Sequence, residues 1–95
     1  MGEIRFEWDS QKAESNRTKH GISFEEATTA FYDENALLIH DPEHSQDEDR
    51  YILLGLSQIL RLLIVCHVYQ ENDEVIRIIS ARSATKAEYR QYEES

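Results

Sequence analysis

Hydrophobic and polar positions follow two different periods along this chain. Near the start Ile4, Phe6 and Trp8 alternate with Arg5 and Glu7, the period of a half-buried strand. From Asp9 or Ser10, either of which can cap a first turn, the pattern becomes helical and runs to about Lys19. Lys19 and His20 in the last turn complement the helix dipole, and Gly21 supplies a left-handed exit. Ser23-Phe24-Glu25-Glu26 is a capping-box pattern, with Phe24, Ala27 and Phe31 at i, i+3 and i+7 as the buried stripe of a second helix. The period then changes. Segments 36–40, 51–56, 59–69 and 75–81 are rich in Ile, Leu and Val and are separated by polar breaks at 41–49, 57–58 and 70–74. Short connections favour antiparallel neighbours, hence a meander. Pro42 lies in the most charged stretch, 41–50, and marks it as an exposed loop that does not continue a strand. Thr85-Lys86-Ala87-Glu88 is a second capping-box pattern, opening a final helix with Tyr89 and Tyr92 on one side. The predicted fold is α+β: an N-terminal strand and two helices, an antiparallel β-meander and a C-terminal helix. A helix on one sheet face closes the core and leaves the other face or an edge for function.

Composition narrows the classes. Ninety-five residues are too few for two separate cores, so 1–95 is expected to be a single domain. The hydrophobic 40% falls in runs, which argues against a disordered chain. One cysteine, Cys66, excludes an internal disulfide and suits a reducing, cytoplasmic interior. No signal-peptide pattern opens the sequence, and the longest apolar stretch, near 59–68, is broken by Arg61 and is too short for a membrane span. Asp and Glu number 19 against 10 Lys and Arg, a net charge of −9. That balance argues against a general nucleic-acid binder, though not against a local basic patch.

Several residue groups can carry chemistry. There is no Walker loop, dinucleotide fingerprint, HExxH or GxSxG, and the glycines are scattered, so no cofactor is expected. Lys19-His20 at a helix end suits phosphate stabilisation and proton shuttling; the same pair also serves as plain dipole complementation in solvent. Arg50, Arg77 and Arg82 lie on or beside the sheet, and Arg77 interrupts the apolar run Val75-Ile76-Arg77-Ile78-Ile79. Their guanidinium groups suit bidentate phosphate contact or, equally, ion pairs with the plentiful carboxylates. Strand parity changes between 77 and 82, so a shared face requires a bend after Ala81. His40-Asp41-Pro42-Glu43-His44 holds two histidines and two acids, but the spacing matches no standard site and a solvated loop is expected, so no metal is assigned. His67 reads as a buried histidine with a satisfied ring, Cys66 as a small core hydrophobe, and Tyr69, Tyr89 and Tyr92 as packing residues.

One ordered series of motifs is more specific. Phe6-Glu7-Trp8-Asp9, Lys12-Ala13, Asn16, Lys19-His20-Gly21-Ile22 and Phe24-Glu25-Glu26-Ala27 are followed by Phe31, Asp33, Asp41, His44, Glu48, Arg50 and Gly55. Arg77-Ile78-Ile79-Ser80-Ala81-Arg82, Ala84, Glu88 and Tyr92 complete it. Over nearly the whole chain this resembles the BrnT family of type II toxin–antitoxin toxins. The resemblance implies a RelE-like ribonuclease fold, an mRNA-cleaving toxin that inhibits translation, and a BrnA-like antitoxin with a ribbon-helix-helix. It also implies that operator DNA is reached only through the antitoxin. The chain departs from the pattern at Gln70, Ser83 and Tyr89, where basic residues are common. The expected activity is a metal-independent endoribonuclease using the substrate's own 2′-hydroxyl as nucleophile. His20 is expected to transfer protons, with Lys19, Arg77 and Arg82 neutralising phosphate charge and Arg50 orienting it or adding to it. The acidic surface and missing cations motivate an alternative: a catalytically inert toxin-fold protein that pairs with a neighbouring antitoxin.

Overall fold

A computed structural model describes residues 4–44 and 48–95, with the side chain of His44 outside the description. The elements are β1 (Arg5–Glu7), α1 (Ser10–His20), α2 (Phe24–Ala30), β2 (Leu37–Asp41), a 3-10 turn at Pro42–His44, β3 (Arg50–Leu56), β4 (Leu62–Gln70), β5 (Val75–Ser83) and α3 (Lys86–Glu94). Five strands form one sheet in the order β1-β5-β4-β3-β2. The last four make the antiparallel meander, and β1 adds parallel to β5, with Glu7 opposite Arg77.

The caps are the ones the sequence provides. The Asp9 carboxylate accepts from the Gln11 and Lys12 amides, and Gly21 at φ 71° closes α1 in the left-handed conformation. Ser23 Oγ accepts from the Glu26 amide. Thr85 and Glu88 complete a reciprocal capping box on α3.

Helices α1 and α2 cover one face of the sheet. Ile22, Phe24, Ala27 and Ala30 pack there on Leu53, Leu63, Val65, Ile76, Ile78 and Ala81. Gly55 lets α2 approach, since a Cβ there would stand 2.8 Å from the Ala30 carbonyl oxygen. The opposite face is not left wholly open. Leu54, Leu62 and Ile64 form a smaller cluster there with Tyr92 of α3. The Tyr92 hydroxyl donates to Asp33 Oδ2 at 2.6 Å, which pushes the phenol up to about 12.

One predicted boundary is corrected. The segment expected to be strand from 59 begins pairing only at Leu62, because residues 57–61 form the hairpin turn. The Ser57 amide donates to the Arg61 carbonyl at 2.8 Å, and Leu60 takes a positive φ of 65° with 74% of its surface exposed. The turn is clamped from α2. Buried Glu26 receives hydrogen bonds from Arg61 and Ser57, and the Arg61 hydrogen bond holds its carboxyl below the usual range against the opposing effect of burial.

Candidate functional site

The sheet face carrying α3 also carries the arginines. Register partners on neighbouring strands share a face, and one register row crosses all five strands: Asp41, Arg50, Val68, Arg77 and Glu7. Two arginines flank a buried valine, and two carboxylates stand at the ends. The next row holds Ile52, Cys66 and Ser80, and the one after it Leu54, Ile64 and Arg82.

This arrangement depends on a bulge. Cys66 pairs with Ser80 but His67 pairs with Ile78, so Ile79 is an extra residue on β5. The insertion resets the alternation and returns Arg77, Ser80 and Arg82 to one face. The sequence expectation of a bend after Ala81 is thereby corrected, since the irregularity lies at Ile79.

Arg77 and Arg82 share a face without sharing a target. Five residue steps, less the one taken up by the bulge, set them about 13 Å apart along the strand. Arg77 Nη1 lies 3.1 Å from Glu7 Oε1 on β1. Arg82 holds Glu88 of α3 in a fork, with both N–O distances 2.9 Å. That fork keeps the Glu88 carboxyl down at about 2. Beside Arg50, Cys66 is only half-buried rather than a core residue. Burial pushes its thiol up, and the Arg50 guanidinium, hydrogen-bonded to it, works against that rise.

Lys19 and His20 approach from the side. They end α1 and line a cleft of about 380 Å³ with Gln11, Lys12, Ser15, Asn16, Ile79 and Ser80. Ser80 belongs both to this cleft and to the arginine face, so the cleft adjoins that face at the outer edge of β5. Asn16 fixes the approach. Only 7% exposed, its Nδ2 donates to the carbonyls of Ile22 and Ala81, and its Oδ1 accepts from the Ala81 amide. An asparagine side chain thus pairs with β5 where a neighbouring strand would. No local pattern distinguished Asn16 as this bracket; its place beside Lys19-His20 in the motif series was the one signal.

The remaining histidines and tyrosines are placed elsewhere. His67 is fully buried on the helix-covered face. Its Nδ1 lies 3.0 Å from the Val65 carbonyl and its Nε2 lies 3.2 Å from the Tyr69 hydroxyl, the satisfied ring expected from the sequence. Burial holds its imidazole below the ordinary value. Tyr92 packs, while Tyr89 is exposed rather than packed. His40 lies 3.3 Å from Asp49. The side chain of His44, the other histidine of that loop, lies outside the described residues. Among the described residues no group of three or more His, Cys, Asp or Glu side chains is arranged to hold a metal, and no helix is long and apolar enough to cross a membrane.

Comparison with known proteins fits this architecture. The chain is similar to the Brucella abortus ribonuclease toxin BrnT, whose crystal structure matches 88% of this chain and 100% of that one with a TM-score of 0.67 and 23% identity. At that identity the likeness shows a shared fold. No curated protein sequence matches the chain significantly. A family profile described as the ribonuclease toxin BrnT of type II toxin–antitoxin systems matches residues 8–88. The chain therefore belongs to the BrnT family, the ribonuclease toxins of type II toxin–antitoxin systems.

Proposed function

We propose that this toxin is a metal-independent endoribonuclease that cleaves mRNA across the β5 edge and the arginine face. The observation that carries the reading is the Ile79 bulge, which aligns Arg77, Ser80 and Arg82 on the face of Arg50, where Ser80 also lines the cleft of Lys19 and His20. Cleavage without metal needs a proton acceptor for the 2′-hydroxyl, a proton donor for the departing 5′-oxygen, and cations for the phosphorane. His20 supplies the proton transfer, because imidazole is the side chain whose ordinary titration spans neutral pH. Lys19, Arg77 and Arg82 stabilise phosphate charge, with Arg50 orienting it or adding to it. The arginines lie along a strip, so they engage successive phosphates rather than one. RNA must also displace Glu7 from Arg77 and Glu88 from Arg82. The products are a 2′,3′-cyclic phosphate and a 5′-hydroxyl. In this reading 1–95 acts as one cytoplasmic domain and is neutralised by a BrnA-like ribbon-helix-helix antitoxin, through which alone it reaches operator DNA.

A labelled RNA incubated with the purified chain and EDTA tests this. Cleavage is expected to persist with chelator, to fail on a substrate lacking the scissile 2′-hydroxyl, and to be abolished by His20→Ala. Loss of activity with EDTA, restored by one divalent ion, overturns the mechanism. The carboxylate partners of Arg77 and Arg82 favour a second reading, an inert toxin-fold protein that binds the antitoxin. Unhindered growth on induction together with tight antitoxin binding would establish it.

A further inference from the structure

The two edges of the sheet are finished differently. At one edge stands β1, only three residues long and carrying Arg5 and Glu7, and beyond it the Asn16 side chain occupies both backbone groups of Ala81 on β5. The other edge is β2, and among the described residues no strand or side-chain bracket covers its outer side. Its run Leu37-Leu38-Ile39 contains no lysine, proline or bulge; the charge and proline that discourage pairing come only at its end with Asp41 and Pro42, and Leu38 is 51% exposed. Among the described residues one edge is protected and an apolar one is left open.

A cavity of about 430 Å³ adjoins that open edge, on the face opposite the arginines. It is lined by Leu38, Tyr51, Tyr69, Glu48, Asp49 and Asp73, with no lysine or arginine among them. The Tyr51 and Tyr69 rings meet edge to face with centroids 5.4 Å apart, forming a rigid aromatic wall. Aromatic faces and carboxylates around an open cavity receive the stem and head of a cationic side chain.

We propose that β2 is the docking edge for the antitoxin, which adds an extended segment to the sheet and places a lysine or arginine in the Tyr51/Tyr69 cavity. The inference rests on the family's toxin–antitoxin assignment and adds where the partner sits and what chemistry it presents. Main-chain pairing along β2 supplies affinity, and the cavity supplies register and charge selection. A second copy of this chain is the poorer occupant. Two-fold pairing of β2 with β2 would bring the Glu48, Asp49 and Asp73 groups of two chains, each of net charge −9, toward one another. The cavity lies on the side of the sheet away from Arg50, Arg77 and Arg82, so this segment anchors the antitoxin without itself covering the proposed RNA site.

Hydrogen–deuterium exchange on the full chain, free and in complex with the antitoxin of its own system, tests the proposal. Amides of β2 are expected to exchange about tenfold or more slowly in the complex. The double variant Glu48→Lys/Asp73→Lys alters exposed positions, and since Asp73 stands at φ 67°, where lysine is less at home, it should melt within about 5 °C of the wild type yet bind the antitoxin about tenfold more weakly at low salt. A complex that forms with β2 exchange unchanged overturns the docking edge and leaves the toxin assignment standing. Protection of β2 with undiminished binding by the charge-reversed variant overturns the cationic occupant. Failure to form any complex removes the antitoxin reading and this proposal with it.

Discussion

Replacing Glu88 by glutamine distinguishes a phosphate seat at Arg82 from a fastening for the last helix. Each terminal nitrogen of Arg82 lies 2.9 Å from a Glu88 oxygen, and Glu88 Oε1 also accepts from the Thr85 amide at 2.8 Å. Glutamine retains the return half of the capping box, so the substitution isolates the charge. The fork holds the Glu88 carboxyl at about 2, but Arg82 is 41% exposed. Solvent screening therefore reduces the pair's contribution to about 1 kcal/mol. Losing that much from a domain of this size lowers Tm by about 5 °C. An RNA phosphate that occupies Arg82 must first overcome the same interaction, so removing it should tighten RNA binding about fivefold. The assay is fluorescence anisotropy with an RNA carrying a 2′-deoxy substitution at the scissile nucleotide, run beside thermal melts. Arg82→Ala removes the same pair and should melt similarly, yet bind this RNA more weakly. The two variants thus move stability in one direction and RNA affinity in opposite directions. If both weaken RNA binding, or neither changes it, Arg82 fastens α3 and its phosphate role is refuted.

Two further outcomes concern the frame around the site. Asn16→Ala strands the amide and carbonyl of Ala81 and the carbonyl of Ile22 in a buried setting, and should destabilise the fold by about 2–3 kcal/mol in urea titration; a loss under 0.5 kcal/mol would mean that water replaces the bracket. Burial holds His67 below its ordinary value, so its contribution to stability is complete above about pH 6.5 and is lost as pH falls through the folded value, at up to about 1.4 kcal/mol per pH unit. His67→Gln should flatten the decline in Tm between pH 7 and 5, and parallel curves for variant and wild type would refute that assignment.

Much of the framework was legible because it is local. Asp9, Ser23 and Thr85 cap helices through side chains that reach amides two or three residues away, and Gly21 ends α1 by a backbone conformation of its own. Pro42 starts a 3-10 turn where the strand stops. Features set by distant contacts were not legible. Ile59 and Leu60 extend an apolar run in sequence, but Glu26, more than thirty residues away, ties Ser57 and Arg61 into a turn that presents both to solvent. The Ile79 bulge is silent for a related reason. In Val75-Ile76-Arg77-Ile78-Ile79 either neighbouring isoleucine satisfies a buried position, so hydrophobic alternation cannot say where the extra residue falls. The arginines' partners were foreseen as a class and not individually, since Glu7 meets Arg77 only through the parallel pairing of β1 with β5.

The acidic balance that argued against RNA binding has a spatial resolution. The chain measures 33 × 30 × 29 Å, whereas exposed charges are screened over about 8 Å at physiological ionic strength. Glu48, Asp49 and Asp73 gather beside Tyr51 and Tyr69 on one side of the sheet, and Arg50, Arg77 and Arg82 lie on the other. The net charge of −9 therefore governs long-range approach, which it slows, but not the potential at the arginine face. There the nearest carboxylates are Asp41, opposite Arg50, with Glu7 on Arg77 and Glu88 on Arg82, and each of the last two leaves a nearly neutral pair. A polyanion gains at this face only when it supplies better oxygens than those carboxylates. Raising salt should accordingly weaken RNA binding less steeply than for a protein with free surface arginines, because fewer counterions are released when a phosphate replaces a carboxylate already in place. A slope of log Kd against log salt as steep as free Arg77 and Arg82 side chains would give shows instead that the carboxylates swing clear of both before RNA arrives.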